Sequence, residues 1–475
     1  MELVKKRNGI DMTNGPLLGK IVRFMLPLML TNLLQVLYNA ADMMVVGLST
    51  QPDAVGAVGT TGSFVTLITN VFIGFSVGAN VLVARSLGAK DGDGASRAVH
   101  TAICMSLIFG VAGGAIGISI SRLVLTAMGN TGTLLDLALV YTYIYFAGVP
   151  FISLSNYLIS IFRAKGDTRT PLFVLTASGI INVLLNLFFV LAVGLSVEGV
   201  ALATVIANAV SGIALLFLLR RDAGPCRFSF KKLRIHKDAF REIIAIGVPA
   251  GIQGALFSIS NMLIQSSILQ INNRVTPAGA PYEPVVKGNA AALNLENFAF
   301  TSVNAVHQAA VTFTGQNAGA KRYDRVKRVM GACYLVEACV AVVITVLLVL
   351  LRDPLLSMYS VRRIAEDPIA MIAYETAMTR MKVKWIPFIL YAIMDVANGV
   401  LRGLGKSMTS TVVALVGTCF FRVAWIYTVF RSLGTLESIY ISYPISWAMT
   451  GIAGFICVTT VLSRRIKMTK NQETV

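Results

Sequence analysis

Ionic side chains are scarce in this chain. Asp, Glu, Lys and Arg make up 13% of its 475 residues, where soluble domains run near a quarter. A water-soluble chain of this length needs far more ionic surface to cover its core. That excludes an ordinary cytosolic enzyme, a disordered protein and a nucleic-acid module. Acid is the scarcer sign, 23 Asp plus Glu against 41 Lys plus Arg. The only histidines, His100, His236 and His307, lack the partners of an HExxH, DDxxD or Ser/His constellation, which excludes an intramembrane enzyme. No P-loop is present, so the chain does not hydrolyse ATP. Of the six cysteines, Cys104, Cys333, Cys339, Cys419 and Cys457 lie in apolar runs and Cys226 in a basic loop. Neither a disulfide framework nor a Cys/His metal site is expected.

What is abundant is hydrophobic residue, 55% of the chain. It comes in runs of about 20, the length a helix needs to cross ~30 Å of hydrocarbon. The runs fall at 21–48, 56–84, 96–120, 133–160, 168–192, 197–219, 240–270, 286–316, 327–350, 370–400, 408–430 and 438–463. The first is too long for a signal-peptide core and lacks a small-residue cleavage site, so it is read as an uncleaved span. The fold expected is an all-α integral membrane protein of twelve transmembrane helices.

The bases follow an alternation. Alternate segments hold Lys5, Lys6, Arg7, Lys20 and Arg23; Arg85, Lys90 and Arg97; Arg163, Lys165 and Arg169; a basic run from Arg220 to Arg241; Lys321, Arg322, Arg325, Lys327 and Arg328; Arg402 and Lys406; and Arg464, Arg465, Lys467 and Lys470. The other loops hold few. By the positive-inside rule both termini are cytoplasmic in a multi-pass plasma-membrane protein.

The chain also repeats itself. Pro27 precedes Asn39 by the interval at which Pro249 precedes Asn261. Gly88-Ala89-Lys90 is echoed by Gly319-Ala320-Lys321, Val149-Pro150-Phe151 by Ile386-Pro387-Phe388, and Arg163-Ala164-Lys165-Gly166 by Arg402-Gly403-Leu404-Gly405. Two six-helix bundles in the same orientation are expected, an N-terminal lobe at 1–230 and a C-terminal lobe at 231–475, related by a pseudo-twofold along the membrane normal. Parallel repeats around a central pathway are a transporter architecture.

Ionisable residues inside a membrane cost about 2.5–3.5 kcal/mol each on insertion scales, so each needs an account. Asn32, Gln35, Asn39 and Asp42 recur at helical spacing on one face of the first helix. A polar stripe ending in a carboxylate can line a cavity, take up and release a proton, or hold Na⁺ with neighbouring oxygens. Asn182 and Asn186 on helix 5, and Thr204 and Asn208 on helix 6, are one-turn pairs of oxygen donors suited to a hard cation beside Asp42; alone they also fit polar packing between helices. In the second half, Glu296, Asn297 and Asn304 on helix 8 and Tyr391 and Asp395 on helix 10 are candidate substrate-pathway residues. Glu296 is expected to attract a cationic substrate, or else to partner His307, Lys384 or Arg422. Asp395, nearer the cytoplasmic end, reads as a structural or gate pair, and Glu337 on helix 9 as merely paired.

The segments DMTNGPLLGKIVRFMLPLMLTNLLQVLYNAADMMVVG (11–47), SVGANVLVARSLGAKD (76–91), FRAKGDTRTP (162–171) and VTFTGQNAGAKRYDRVKRV (311–329) resemble the MATE family of multidrug and toxic compound extrusion transporters, in particular its bacterial branch. The resemblance implies a two-lobed antiporter of the bacterial inner membrane that exports organic, often cationic or amphipathic compounds while Na⁺ or H⁺ flows inward. It implies no other cofactor, and a monomer with a small-molecule substrate and no nucleic-acid partner. It also implies that the first-helix carboxylate, Asp42, is the coupling residue. One branch places an Asn and an Asp on helix 5 and a Thr on helix 6 beside it. Here Asn182 and Thr204 match, while Asn186 stands at the Asp position. Another branch carries a helix-7 Glu and a helix-10 Asp; here Phe257 and Tyr391 occupy those positions, so that cation site is not expected. A flippase for a lipid-linked or polysaccharide precursor ranks second, because the bases lie mainly in loops.

Overall fold

A computed structural model describes residues 9–49, 51, 53–277 and 279–473. Lys5, Lys6 and Arg7 lie outside the described residues. The described secondary structure is entirely helical. The first half holds α1 (Leu18–Val46), α2 (Ala54–Gly88), α3 (Gly92–Ala127), α4 in two pieces (Gly132–Ala147 and Val149–Ala164), α5 (Arg169–Leu187) and α6 (Val197–Arg220). The second half holds α7 (Lys237–Val275), α8 (Pro284–Gly319), α9 (Tyr323–Leu350), α10 in two pieces (Pro368–Trp385 and Phe388–Gly403), α11 (Ser407–Leu433) and α12 (Leu436–Asn471). A short helix, Arg352–Met358, lies between α9 and α10. Among the described residues, eleven of these helices are long and apolar enough to cross a bilayer, counting α4 and α10 as one bent span each. The exception is α8. It carries Asn289, Asn294, Glu296, Asn297, Asn304, His307 and Gln308 along its length; these polar residues lower its average hydropathy.

The repeat seen in the sequence is written into the backbone. α4 bends by 49° and α10 by 52°, at Val149-Pro150 and Ile386-Pro387. A proline has no N–H to give and its ring crowds the preceding turn, so a long helix breaks there. Pro27 and Pro249 sit inside α1 and α7. The turns that close α2 and α8 each hold a lysine in the left-handed region, Lys90 at φ 59° and Lys321 at φ 56°, a conformation few non-glycine residues adopt. The turns after α4 and α10 use Gly166 at φ 83° and Gly405 at φ 75°, where a side chain would be strained.

The helices gather into two compact units. One comprises the chain up to Ala255 together with Thr312–Arg322 and Gly403–Ser407. The other comprises Leu256–Val311, Tyr323–Arg402 and Met408–Val475. This division does not fall at 230/231, because the starting turns of α7 and the last turns of α8 pack on α2. A Cβ on Gly74 would overlap the backbone of Gly251, and one on Gly88 the backbone of Gln316, so these helices touch main chain to main chain. Polar bonds join the same segments: Asn80 Nδ2 donates to the Ser160 carbonyl (2.9 Å), Thr312 Oγ1 to Asn80 Oδ1 (3.2 Å) and Gln316 Nε2 to the Ala164 carbonyl (2.7 Å). Arg85 pairs with Glu242. The basic linker is held by its few apolar residues. Phe228 is buried and stacks on His100, whose Nε2 accepts the Ser229 N–H at 3.0 Å.

The second unit has its own core, from Ile264 and Ile268 through Leu295, Ala299 and Val303 to Trp385, Phe388 and Trp447. Phe300, Phe388, Tyr391 and Trp447 meet there at centroid distances of 4.8–6.3 Å.

Candidate functional site

α1, α5 and α6 bring their polar residues to one point in the first unit. α1 lies along α5 because Gly179 leaves room for the Tyr38 ring; a Cβ there would overlap it. Just beyond, Asn186 Nδ2 donates to Asp42 Oδ1 at 2.5 Å. Thr204 stands close enough to act on the Asp42 carboxylate, and Asn182 Nδ2 reaches Thr204 Oγ1 at 3.4 Å. Asn182 and Asn186 are buried and Asp42 is half-buried. Asn186 Oδ1 is buried and has no hydrogen-bond partner among the described residues. α5 passes into a π-helical turn, Phe188–Ala192, directly after Asn186. Such turns interrupt the regular ladder and frequently mark functional positions.

Four of the six first-half candidates therefore meet: Asp42, Asn182, Asn186 and Thr204. The other two do not. Gln35 and Asn39 lie on the same helix but are exposed and make no bond to this group. Asn208 turns back to its own helix, donating to the Thr204 carbonyl at 2.9 Å. The cluster presents a carboxylate, two amide oxygens and a hydroxyl, all hard oxygen donors. A proton on Asp42 or a small hard cation fits this set, and the Asn186 oxygen can accept a hydrogen bond or ligate a cation.

The second-half candidates separate into two groups. Glu296 is 2% exposed and fully engaged. Arg380 grips it with two bonds, Nε to Oε1 at 2.9 Å and Nη2 to Oε2 at 2.8 Å, and Lys384 Nζ adds a third at 2.5 Å. Arg380 Nη1 and the Tyr440 hydroxyl both donate to Asn289 Oδ1, at 2.6 and 3.0 Å. Lys384 and Arg422 share the face of Tyr443, at 3.8 and 4.0 Å from its centroid. Glu296 is thus paired, as its alternative reading through Lys384 has it, and has no spare charge for a cationic substrate. Arg380 was not singled out in the sequence. Its signal was there: Arg380 and Lys384 are one turn apart, so two bases share a face of a membrane helix that must meet an acid.

In the other group, His307 Nδ1 lies 3.0 Å from Asp395 Oδ1 and 3.0 Å from the Asp395 carbonyl. Tyr391 stacks on Phe388 at 5.6 Å, in the aromatic cluster rather than at a cation site. Asn304 is half-buried and Asn297 exposed. Glu337, expected to be paired, is fully buried, and among the described residues neither carboxyl oxygen has a hydrogen-bond partner.

The chain is similar to known proteins over most of its length. The Probable multidrug resistance protein YoeA of Bacillus subtilis (strain 168) is 25% identical over 439 residues, 90% of each chain. The Probable multidrug resistance protein NorM of Thermotoga maritima is 23% identical over 432 residues, 88% of this chain and 87% of that one. A solved structure described as the outward-facing conformation of a multidrug resistance MATE family transporter of the MOP superfamily shares the fold, with a TM-score of 0.86 at 20% identity over 98% of this chain and 100% of that one. The pattern of the MatE family matches residues 27–188 and 283–428. The chain therefore belongs to the MatE family of multi-pass membrane transporters and is not an enzyme.

Proposed function

We propose that the chain is a cation-coupled antiporter that exports amphipathic or cationic organic compounds by alternating access, with Asp42 as the carboxylate that the coupling ion loads. The observation that carries this reading is the meeting of Asp42 with Asn182, Asn186 and Thr204, beside an amide oxygen that has no other partner. The coupling ion, H⁺ or Na⁺, is cargo. Loading it on Asp42 would weaken the bond from Asn186 and let α1 move against α5. The names of the relatives, multidrug resistance proteins, support a polyspecific organic substrate. The moving bodies in this reading are the lobes 1–230 and 231–475, with both termini on the cytoplasmic side of a bacterial plasma membrane.

The preference for cationic compounds does not draw on Glu296. Arg380, Lys384 and Arg422 outnumber it in the buried cluster, so any attraction for a cation comes from the Asp42 side.

The test is export from vesicles under an imposed H⁺ or Na⁺ gradient, with a panel of dyes. Asp42→Asn keeps the shape and removes the charge; it is expected to abolish gradient-driven export while the protein inserts and folds as the parent does. Parental export by this variant would sink the reading.

A further inference from the structure

The buried bases around Glu296 are not balanced by acid. Arg380 takes both Glu296 oxygens, and Lys384 adds a bond to one of them. Arg422 of α11 is left over. It is 8% exposed. Among the described residues it makes one hydrogen bond, from Nε to Ser446 Oγ of α12 at 3.0 Å, and no ion pair. Besides Lys384, its titratable neighbours are Tyr443, Cys419 and Tyr391, none of them a carboxylic acid. A guanidinium keeps its proton in a protein. One full positive charge therefore stands inside a membrane span without a counter-ion, and such a charge defaults to function.

The side chain is seated with its forked end open. Ser446 fixes Nε, and the Tyr443 ring lies 4.0 Å from the guanidinium carbon. Among the described residues Nη1 and Nη2 have no partner, and neither is an enclosed atom. This is the pair of donors that matches a carboxylate or sulfonate. The backbone is irregular at the same place. Arg422 lies in a single α-helical turn, Phe421–Trp425, between two π-helical turns, Leu415–Phe420 and Ile426–Phe430; such turns frequently sit at functional positions. Aromatic surface adjoins the charge. Tyr443 meets Trp447 at 6.0 Å, and Trp447 meets Tyr391 at 5.6 Å and Phe300 at 6.3 Å. Phe300 and Tyr391 are half-buried, so ring area is left for a partner.

We propose that Arg422, seated on Ser446 and Tyr443, binds the carboxylate or sulfonate of an amphipathic organic compound whose apolar body lies on Phe300 and Tyr391. The anion supplies the counter-charge that the fold withholds, through two parallel N–H···O bonds from the fork. Lys384 Nζ, 3.8 Å from the Tyr443 centroid and 5.8 Å from that of Phe300, adds positive field along the same rings. A cationic group placed there meets Arg422 and Lys384 and is repelled. The second half thus selects for a negative group, where the Asp42 site of the first half selects for a positive one. The use of this site in export rests on the antiport reading; the binding of the anion does not.

The experiment is binding to the purified full chain in phosphatidylcholine nanodiscs, read as energy transfer from tryptophan to a dansyl group. Trp447 stands beside the site. Two probes differ in one charge: dansylglycine carries a carboxylate, and dansylglycinamide is neutral. The parent is expected to bind dansylglycine about tenfold more tightly, the scale of one hydrogen bond to a charged group. Arg422→Gln is expected to bring dansylglycine down to the amide and to leave the amide unchanged. Arg422→Lys keeps the cation without the fork and is expected to retain part of the preference. It decides the matter if Arg422→Gln fails to fold, which loss of the amide would reveal. Equal binding of the two probes by the parent overturns the site. So does a preference that survives Arg422→Gln, or one that Arg422→Lys abolishes while the amide still binds. The antiport reading fails separately, if Asp42→Asn exports as the parent does, and that result leaves the binding preference untouched.

Discussion

The cluster around Glu296 makes the sharpest energetic prediction. Arg380→Met removes two charge-assisted bonds to Glu296 and one to Asn289, and leaves Lys384 as the only cation on a carboxylate 2% exposed. Breaking a buried ion pair from one side costs about 3–5 kcal/mol; Lys384 holds the effect to the lower end. Glu296→Gln acts from the other side, leaving Arg380 and Lys384 buried without an anion, at a similar cost of about 3–5 kcal/mol. The two losses share one interaction, so the double variant is expected to fall short of their sum by about 2–3 kcal/mol, near the top of couplings seen for contacting residues. The assay is unfolding in mixed micelles by titrating a denaturing detergent, followed by tryptophan fluorescence. The tryptophans, Trp385, Trp425 and Trp447, all lie in the second half. Additivity within about 0.5 kcal/mol would refute the pairing. The same pairing makes a binding prediction. Glu296→Gln is expected to weaken a cationic dye and its neutral analogue alike, and selective loss of the cationic dye would show that Glu296 has charge to spare after all.

Three further outcomes follow from the structure. Gly179→Val forces the Tyr38 ring out of its place on α5, and overpacking of this kind costs about 1–3 kcal/mol; an unchanged unfolding midpoint in micelles would contradict the close approach. Asp11, outside the spans, is pushed up by burial, but this is outweighed by hydrogen bonds from Asn14 and Thr13 and by Lys20, so its carboxyl sits lowered from 3.8 to about 2. Its stabilising effect is complete above the unfolded value and disappears as pH falls through about 2; Asp11→Asn is therefore expected to lower the thermal midpoint at neutral pH and to leave it unchanged near pH 2. Lys231→Cys, in the linker, is expected to react with an impermeant thiol reagent only from the cytoplasmic side, and labelling from outside would invert the topology.

The spans and the repeat were legible because both rest on one-dimensional signals. Hydropathy marks a span wherever about 20 apolar residues run together, and a proline or a left-handed turn marks the same point in each repeat. The first-half site was half legible. Helical spacing put Gln35, Asn39 and Asp42 on one face, but only packing decides that Asp42 meets α5 and α6 while Gln35 and Asn39 stay exposed. The acids of the second half were least legible. Pairing across helices has no spacing rule: Glu296 finds its partners 84 and 88 residues away, and Glu337, expected to be paired, finds none among the described residues. The division into units was hidden for the same reason, since glycines on α2 let the starting turns of α7 and the last turns of α8 pack against it.

The polar character of α8 also bears on how the protein is made. Glu296 leaves the ribosome 84 residues ahead of Arg380. At ~5–20 residues per second of synthesis, that is a wait of about 4–17 s. During that time α8 carries an acid worth about 2.5–3.5 kcal/mol against insertion, in the one span too polar to enter on its own account. The helix that follows, α9, brings Glu337, and its bases, Arg325, Lys327 and Arg328, are confined to its first turns. The second half is therefore expected to enter the bilayer as a group, with α8 settling only when the first piece of α10 delivers Arg380 and Lys384. A nascent chain arrested between α9 and α10 is left with its eighth helix uncommitted.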